Sequence, residues 1–338
     1  MRNGLILNVT ALVLCFILIS SPIVCHGEKP IRSNILQSFG GRTLYVGGNG
    51  PENYSKIQDA IDNATNDDTI FVYHYSSPYY ENILINKSIT LLGENKTTTA
   101  IDAQGAGGNA VSITKGGVTF SGFSVLNWAG NTSSNGIFIY ADNCSIIGNI
   151  LSCTHIWYGY EALRLYRSKN NSIMNNIITH ADHGILMEHS SRNIISKNLI
   201  MDCWGFAIQL RFSNDNNIFE NIIVNNSYGI DVGDSMNNKI NSNEISHNTY
   251  GITISYSLKN IIMKNNFRKN FDYDAYNVFS FQPFWRNTWN DNYWNRARLL
   301  PKVIFGYLEY HKDRFIIIPW MNVDWHPAQK PYIISILN

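Results

Sequence analysis

Six times between Cys144 and Phe267 the chain reads Asn-x-Ile-x-x-Asn-x-apolar. The second Asn falls at Asn149, Asn176, Asn198, Asn221, Asn243 and Asn265, with steps of 27, 22, 23, 22 and 22 residues. Five residues earlier stand Asn171, Asn193, Asn216, Asn238 and Asn260, with Cys144 as the one departure. Between these polar columns runs Ile146, Ile173, Ile195, Ile218, Ile240 and Ile262. Self-similarity at a fixed short period restricts the chain to stacked or radial repeat architectures.

The chemistry inside the period selects among them. A helical repeat would space apolar residues three and four apart, whereas here they alternate at period two in β-branched runs broken by Asn, Ser and Gly. Each unit holds a second short strand, such as Ile185-Leu186-Met187 or Ile252-Thr253-Ile254. A coil of about 22 residues with two or three short strands predicts an all-β fold, a single-stranded parallel β-helix whose coils stack at about 4.8 Å. Like residues then stand above one another. An Asn column at a turn lets each side-chain amide donate to the coil above and accept from the coil below, which satisfies polar groups that a buried turn would orphan.

Lys and Arg total 26 against 25 Asp and Glu, so there is no electrostatic footprint for nucleic acid. The polar surface is amide and hydroxyl, which suits neutral, hydroxyl-rich ligands. Residues 1–27 read as a signal peptide: Arg2, an apolar core from Leu5 to Ile19, and a break at Ser20-Ser21-Pro22. A retained anchor is the alternative. No later stretch is long enough to span a bilayer, so the chain is expected to be secreted, periplasmic or on the cell surface. Signal removal leaves Cys144, Cys153 and Cys203, expected as buried thiols with a Cys144–Cys153 bridge as the alternative.

Residues 28–66 read as a lead-in and N-terminal cap, 67–280 as the solenoid and 281–338 as an aromatic C-terminal cap or extension. Ser55-Lys56-Ile57-Gln58 predicts a capping box opening a short amphipathic helix, which would shield the open end of the core. The segment PWMNVDWHPA, residues 319–328, is too regular for a random tail, and periodicity alone assigns it no purpose.

KIQDAIDNATNDDTIFV at 56–72, YYENILINKSITLLGE at 79–94 and the Asn-x-Ile-x-x-Asn coils together resemble the NosD-type family of exported right-handed β-helix proteins. That family belongs to the carbohydrate-binding and sugar-hydrolase group of pectin-lyase-like solenoids. The resemblance covers about residues 43–295. It implies a right-handed solenoid and, through the family name, a periplasmic copper-linked accessory role.

Sites on such a scaffold are built by column. Tyr160, His183, Trp204, Tyr228 and Tyr250 precede the Gly column; they either face outward as a platform for sugar rings or fill the core. On the next strand Arg164, Glu188, Gln209 and Asp231 fall outward by alternation. Ligand binding is expected at Tyr160, Trp204, Tyr228, Tyr250 and Gln209, with polysaccharide or glycoprotein glycan as the partner and no catalysis. The alternative is a polysaccharide lyase or glycoside hydrolase using Glu188, Asp231, Arg164 and His183, since an acid, a base and a cation are what that chemistry requires. The paired-Asp motifs of polygalacturonases and the calcium set of pectate lyases are not found. A third reading is NosD-like copper delivery, for which His180 and His183 are the best ligands, although their spacing does not place both imidazoles on one face of a strand. No cofactor is predicted, and neither copper nor calcium has a specific motif. Sequons at Asn53, Asn63, Asn86, Asn95, Asn131, Asn143, Asn170 and Asn225 are candidate glycan acceptors; Asn143, bordering a core column, is expected to be a poor one.

Overall fold

A computed structural model describes residues 41–128, 134–153, 161–280, 286–311 and 315–335. The expected signal peptide, Tyr160, Asn131 and the tip of the insertion after Cys153 lie outside the described residues. The fold is a right-handed parallel β-solenoid. Each regular coil contributes one strand to each of three sheets. In one coil these are Ile194–Ser196, Leu199–Met201 and Phe206–Arg211. Among the described residues the first and third sheets contain eleven strands and the second nine.

The register is set residue against residue. Ile146, Ile173, Ile195, Ile218, Ile240 and Ile262 pair in sequence along the first sheet and are fully buried. Leu151, Ile178, Ile200, Ile223, Ile245 and Phe267 do the same along the second. The third sheet adds two inward columns, for example Ile208, Ile230 and Ile252 beside Leu210, Val232 and Ile254. Burial on this scale supplies the main driving force. A one-residue slip would turn every column to water, so the pattern also fixes the register.

The corners are turned by non-glycine residues in the left-handed region. Lys197, Glu220, Ser242 and Lys264, with φ of 55°, 56°, 55° and 56°, each precede a buried ladder Asn. That turn leaves the N–H of the ladder residue without a strand partner. The side chain one coil on accepts it: the Asn198 N–H and Nδ2 both donate to Asn221 Oδ1, at 3.0 Å each, and Asn221 repeats this to Asn243 Oδ1. The expected second column begins at Cys144, whose N–H donates to Asn171 Oδ1 at 2.8 Å and whose thiol points to the Lys115 and Asp142 carbonyls. Cys144, Cys153 and Cys203 are free and buried, so the alternative bridge is not formed.

Two further ladders went unread in the sequence. Cys203, Asn226, Asn248 and Asn270 form one. Ser168, Ser190, Ser213, Ser235 and Ser257 form the other, each N–H donating to the next hydroxyl oxygen at 2.9–3.1 Å.

The N-terminal helix, α1, spans Ile57–Asn63 and buries Ile57, Ala60 and Ile61. The expected capping box does not form: the N-cap is Lys56, without a side-chain bond. The carboxylate of Glu81 instead accepts from the N–H groups of Ile57 and Gln58, at 2.8 and 3.0 Å. The Lys87 ammonium donates to the carbonyls of Ile61, Asp62 and Ala64 at the other end. Each charge complements the dipole end it faces. A contact from more than twenty residues away outcompetes the local motif because it also ties the helix to the first coils.

At the C-terminus Trp289 and Trp294 close the core, with Trp294 stacked on Phe267 at 4.5 Å. Trp325, expected in the cap, is 65% exposed. Trp320 lies instead against Arg286. The strands Lys302–His311 and Phe315–Asp324 form an antiparallel hairpin added to the third sheet. The regular segment at 319–328 has a clear role. The fully buried Asp324 carboxylate accepts from the Asn292 N–H and Nδ2, the Trp294 Nε1–H and the His326 N–H, so it terminates the amide ladder.

Asp324→Ala orphans these donors and is expected to cost on the order of 2–4 kcal/mol. Tm should fall by several degrees in a circular dichroism melt, with Asp324→Asn, which keeps one acceptor, losing less. An unchanged Tm in Asp324→Ala would show that the ladder needs no terminal acceptor.

Candidate functional site

The outer face of the third sheet carries an aromatic stack in a different register from the expected one. His183, Phe206, Tyr228, Tyr250 and Tyr273 follow one another with centroid separations of 5.2, 4.6, 4.5 and 4.7 Å. Phe206 pairs with Tyr228, and Glu161 with His183. Trp204 therefore does not belong to the stack, and Glu161 stands at its foot. Aligning on Gly205 misled the reading. The step from His183 to Phe206 holds one residue more than its neighbours, and Ala207 takes the position of Gly184, where a Cβ would lie 2.5 Å from the Ala207 carbonyl oxygen. The in-register pair of Ile185 with Ile208 was the signal that locates Phe206.

The stacked rings are half-buried and tilted by about 35° from Phe206 to Tyr273. Their faces are occupied by one another. The row presents edges and hydroxyl groups rather than a platform, and burial pushes the Tyr273 phenol up, so that it stays protonated.

The outward polar residues form rungs. Arg164 and Glu188 pair at 2.6 Å. Asp231 accepts from Gln209 Nε2 at 3.0 Å and from Thr253 Oγ1 at 2.5 Å. Gln209 and Thr253 are buried although they point away from the core. Burial pushes the Asp231 carboxyl up, against the opposing effect of the Thr253 and Gln209 hydrogen bonds and of Arg211 and His183. Burial likewise raises Glu161, which the sequence reading missed, and holds His183 down, so its imidazole is neutral at neutral pH.

Trp204 sits elsewhere, at the corner between the second and third sheets. It is 67% exposed, and no described ring stacks on it. It borders an open cleft of about 690 Å³ shared with His180, Asp202, Asn225, Ser227, His247 and Thr249. The cleft is a product of columns: His180, Asp202, Asn225 and His247 are the left-handed corner residues of four successive coils, with φ of 54° to 59°. Burial, helped by Lys269 and Arg268, holds His247 down. His180 thus lines the cleft and hydrogen-bonds Thr179, while His183 lies on the stack. Of the sequons, Asn143 is exposed at a left-handed corner, contrary to expectation, because only its neighbour Cys144 turns inward. Asn225 is also exposed and lines the cleft.

Stacked coils with corner ladders define a parallel β-helix, here with a polar cleft beside the exposed Trp204. The model for the periplasmic copper-binding protein NosD matches residues 61–298, well over half of the chain, which belongs to that family. It is 32% identical over 191 residues to a cell surface glycoprotein of Methanothermus fervidus, covering 54% of this chain and 31% of that protein. The chain thus spans about a third of that relative's length. The DFA-IIIase of Arthrobacter chlorophenolicus has a similar structure, with a TM-score of 0.54 at 12% identity over 81% of this chain and 82% of that one. The enzymatically active domain of bacteriophage CBA120 tailspike protein 2 gives 0.52 at 14% identity, over 78% and 41%. At these identities the likeness is one of fold.

The family name carries copper. Among the described residues no three His, Cys, Asp or Glu side chains converge. Burial raises the Cys144 thiol and pushes Cys203 up to about 12. Among the described residues no helix is long and apolar enough to cross a membrane.

The raised Asp231 value makes a stability statement. A carboxyl whose folded value lies above its unfolded one, about 3.9, favours the fold in acid and loses that contribution as pH rises through the folded value. Asp231→Asn keeps an acceptor for Gln209 and presents a donor to Thr253 without the charge. Its urea midpoint is expected to match wild type near pH 4 and to exceed it increasingly toward pH 7. A variant less stable than wild type at pH 7 would contradict this.

Proposed function

We propose that this protein is an exported β-helix that binds polysaccharide or glycoprotein glycan at the cell surface, through the cleft around Trp204. The observation that carries the reading is the exposed indole, on which no described ring stacks, flanked by the short polar side chains Asn225, Ser227 and Thr249. Sugars present an apolar C–H face and a rim of hydroxyls. An aromatic anchor with a few convergent hydrogen-bonding groups is the general solution for such ligands. The chain's near-zero net charge agrees with a neutral ligand. The name of the Methanothermus relative, a cell surface glycoprotein, supports the location.

Binding without catalysis is the better-supported form of this reading. Both oxygens of Asp231 already accept hydrogen bonds, and one oxygen of Glu188 is tied to Arg164. A general acid or base must instead have an oxygen free to reach substrate.

A glycan array probed with the purified protein is expected to give binding that Trp204→Ala weakens about 10- to 30-fold, the effect of removing an aromatic anchor. Tyr228→Ala, which sits in the stack, should leave the affinity for the same glycan within about twofold. Absence of binding to every glycan, or affinity unchanged in Trp204→Ala, would overturn the reading.

A further inference from the structure

One corner ladder is followed by a fault that occurs twice. Cys203, Asn226, Asn248 and Asn270 pass one bond from coil to coil. From ladder residue to stack residue the step is two residues from Asn226 to Tyr228 and from Asn248 to Tyr250, and three from Cys203 to Phe206 and from Asn270 to Tyr273. Each lengthened corner turns an aromatic side chain outward directly after the ladder residue: Trp204, 67% exposed, and Phe271, 87% exposed. The main chain stays paired, the Trp204 and Phe271 N–H groups donating to the Ala181 and Asn248 carbonyls at 3.1 and 2.8 Å. An extra residue on one side of a ladder bends the chain locally and re-aims a side chain. Neither ring stacks on another among the described residues.

The two coils between them lack the extra residue. Directly after the ladder Asn they carry Ser227 and Thr249, which line the cleft with Asn225 and His247. Along the axis this corner therefore reads indole, hydroxyl, hydroxyl, phenyl. Three coil steps of about 4.8 Å set the two aromatic positions about 14 Å apart. Trp204 borders the cleft, and Phe271 stands one coil beyond Thr249, whose carbonyl accepts from the Asp272 N–H.

We propose that Phe271 is the second aromatic anchor of this cleft, and that the site takes an extended run of sugar rings along the solenoid axis. The run stacks on Trp204 at one end and on Phe271 at the other, and hydrogen-bonds Ser227 and Thr249 between them. The inference rests on the reading of the cleft as a glycan site and adds the form of its ligand: an internal stretch of a linear polysaccharide. A single sugar ring spans too little to meet both aromatics, whereas a chain of rings repeats an apolar face and a hydroxyl rim along its length. An extended peptide would be held by a free sheet edge or by pockets for its side chains. This corner offers neither, because the N–H groups of Trp204, Ser227, Thr249 and Phe271 all donate to the preceding coil and the surface between the rings is polar.

Affinity electrophoresis in dextran, mannan, xylan and hydroxyethylcellulose finds the polymer that retards the full-length protein. Calorimetry with that polymer's oligosaccharides, from disaccharide to octasaccharide, then reads the dependence on length. Wild-type affinity should climb with length until both rings are spanned. F271A should lose that climb, binding the octasaccharide about tenfold more weakly and the disaccharide within about twofold of wild type. W204A should weaken both, and F271W should restore the climb. F212A, which removes an exposed ring outside the cleft, should match wild type throughout. Affinity independent of length, an F271A octasaccharide affinity equal to wild type, or equal weakening by F271A at every length would overturn this inference while leaving the Trp204 cleft a glycan site. A wild type that none of the four polymers retards would count against the glycan reading itself, and the inference would fall with it.

Discussion

The structure depends on one hydrogen bond, repeated at the ladder corners of the regular coils: a main-chain N–H that the left-handed turn leaves without a strand partner, accepted by a side chain one coil away. A parallel sheet pairs N–H groups only along its strands. Wherever the chain bends from one sheet to the next, a donor is left in a dry interior, at a cost of about 1–3 kcal/mol. Asn solves this with one acceptor oxygen that takes two donors and one NH₂ that passes the bond on. Ser and Cys serve at corners where the geometry needs less. At the last coil no further Asn exists, and a carboxylate, Asp324, closes the series.

Strict stacking has a second consequence, because it makes the surface as periodic as the core. The aromatic stack, the Asp231 rungs and the cleft are all columns read outward. The cleft coincides with a local fault: the extra residue between His183 and Phe206 pushes Trp204 out of the stack, and no described ring stacks on it. The phenol row and the polar rungs hold coils together, while the place where the column breaks is where we propose that a ligand binds.

Much of the fold could be read from spacing alone. The Ile columns and the two Asn ladders needed only a count, since a period repeated six times leaves one way to stack. The Ser ladder was equally regular but was hidden, because Ser is common in this chain and lies next to residues as different as Arg167, Phe212 and Tyr256. The capping of α1 was misread because Ser55 and Gln58 have the right local pattern, whereas Glu81 and Lys87 act from across the first coils. Trp204 was misplaced for a related reason: a Gly column is a reliable guide only while Gly occupies it, and Ala162, Ala207 and Asp274 take its place in three of the coils. The segment around Asp324 was legible as a motif but not as a ladder end, because its partner Asn292 is made equivalent to Asn265 only by a 27-residue step.

The account stands or falls on the ladder at mid-solenoid. Asn221 Oδ1 accepts from the Asn198 N–H and Nδ2, and its own Nδ2 donates to Asn243 Oδ1 and the Ile195 carbonyl. Urea unfolding of Asn221→Ala, compared with Lys239→Ala at an exposed position of the next coil, measures its weight directly. The prediction is a loss of about 3 kcal/mol or more for the ladder variant and less than about 0.5 kcal/mol for the surface one. Equal, small losses in both would show that the apolar columns alone hold the coils together and that the corner amides are incidental.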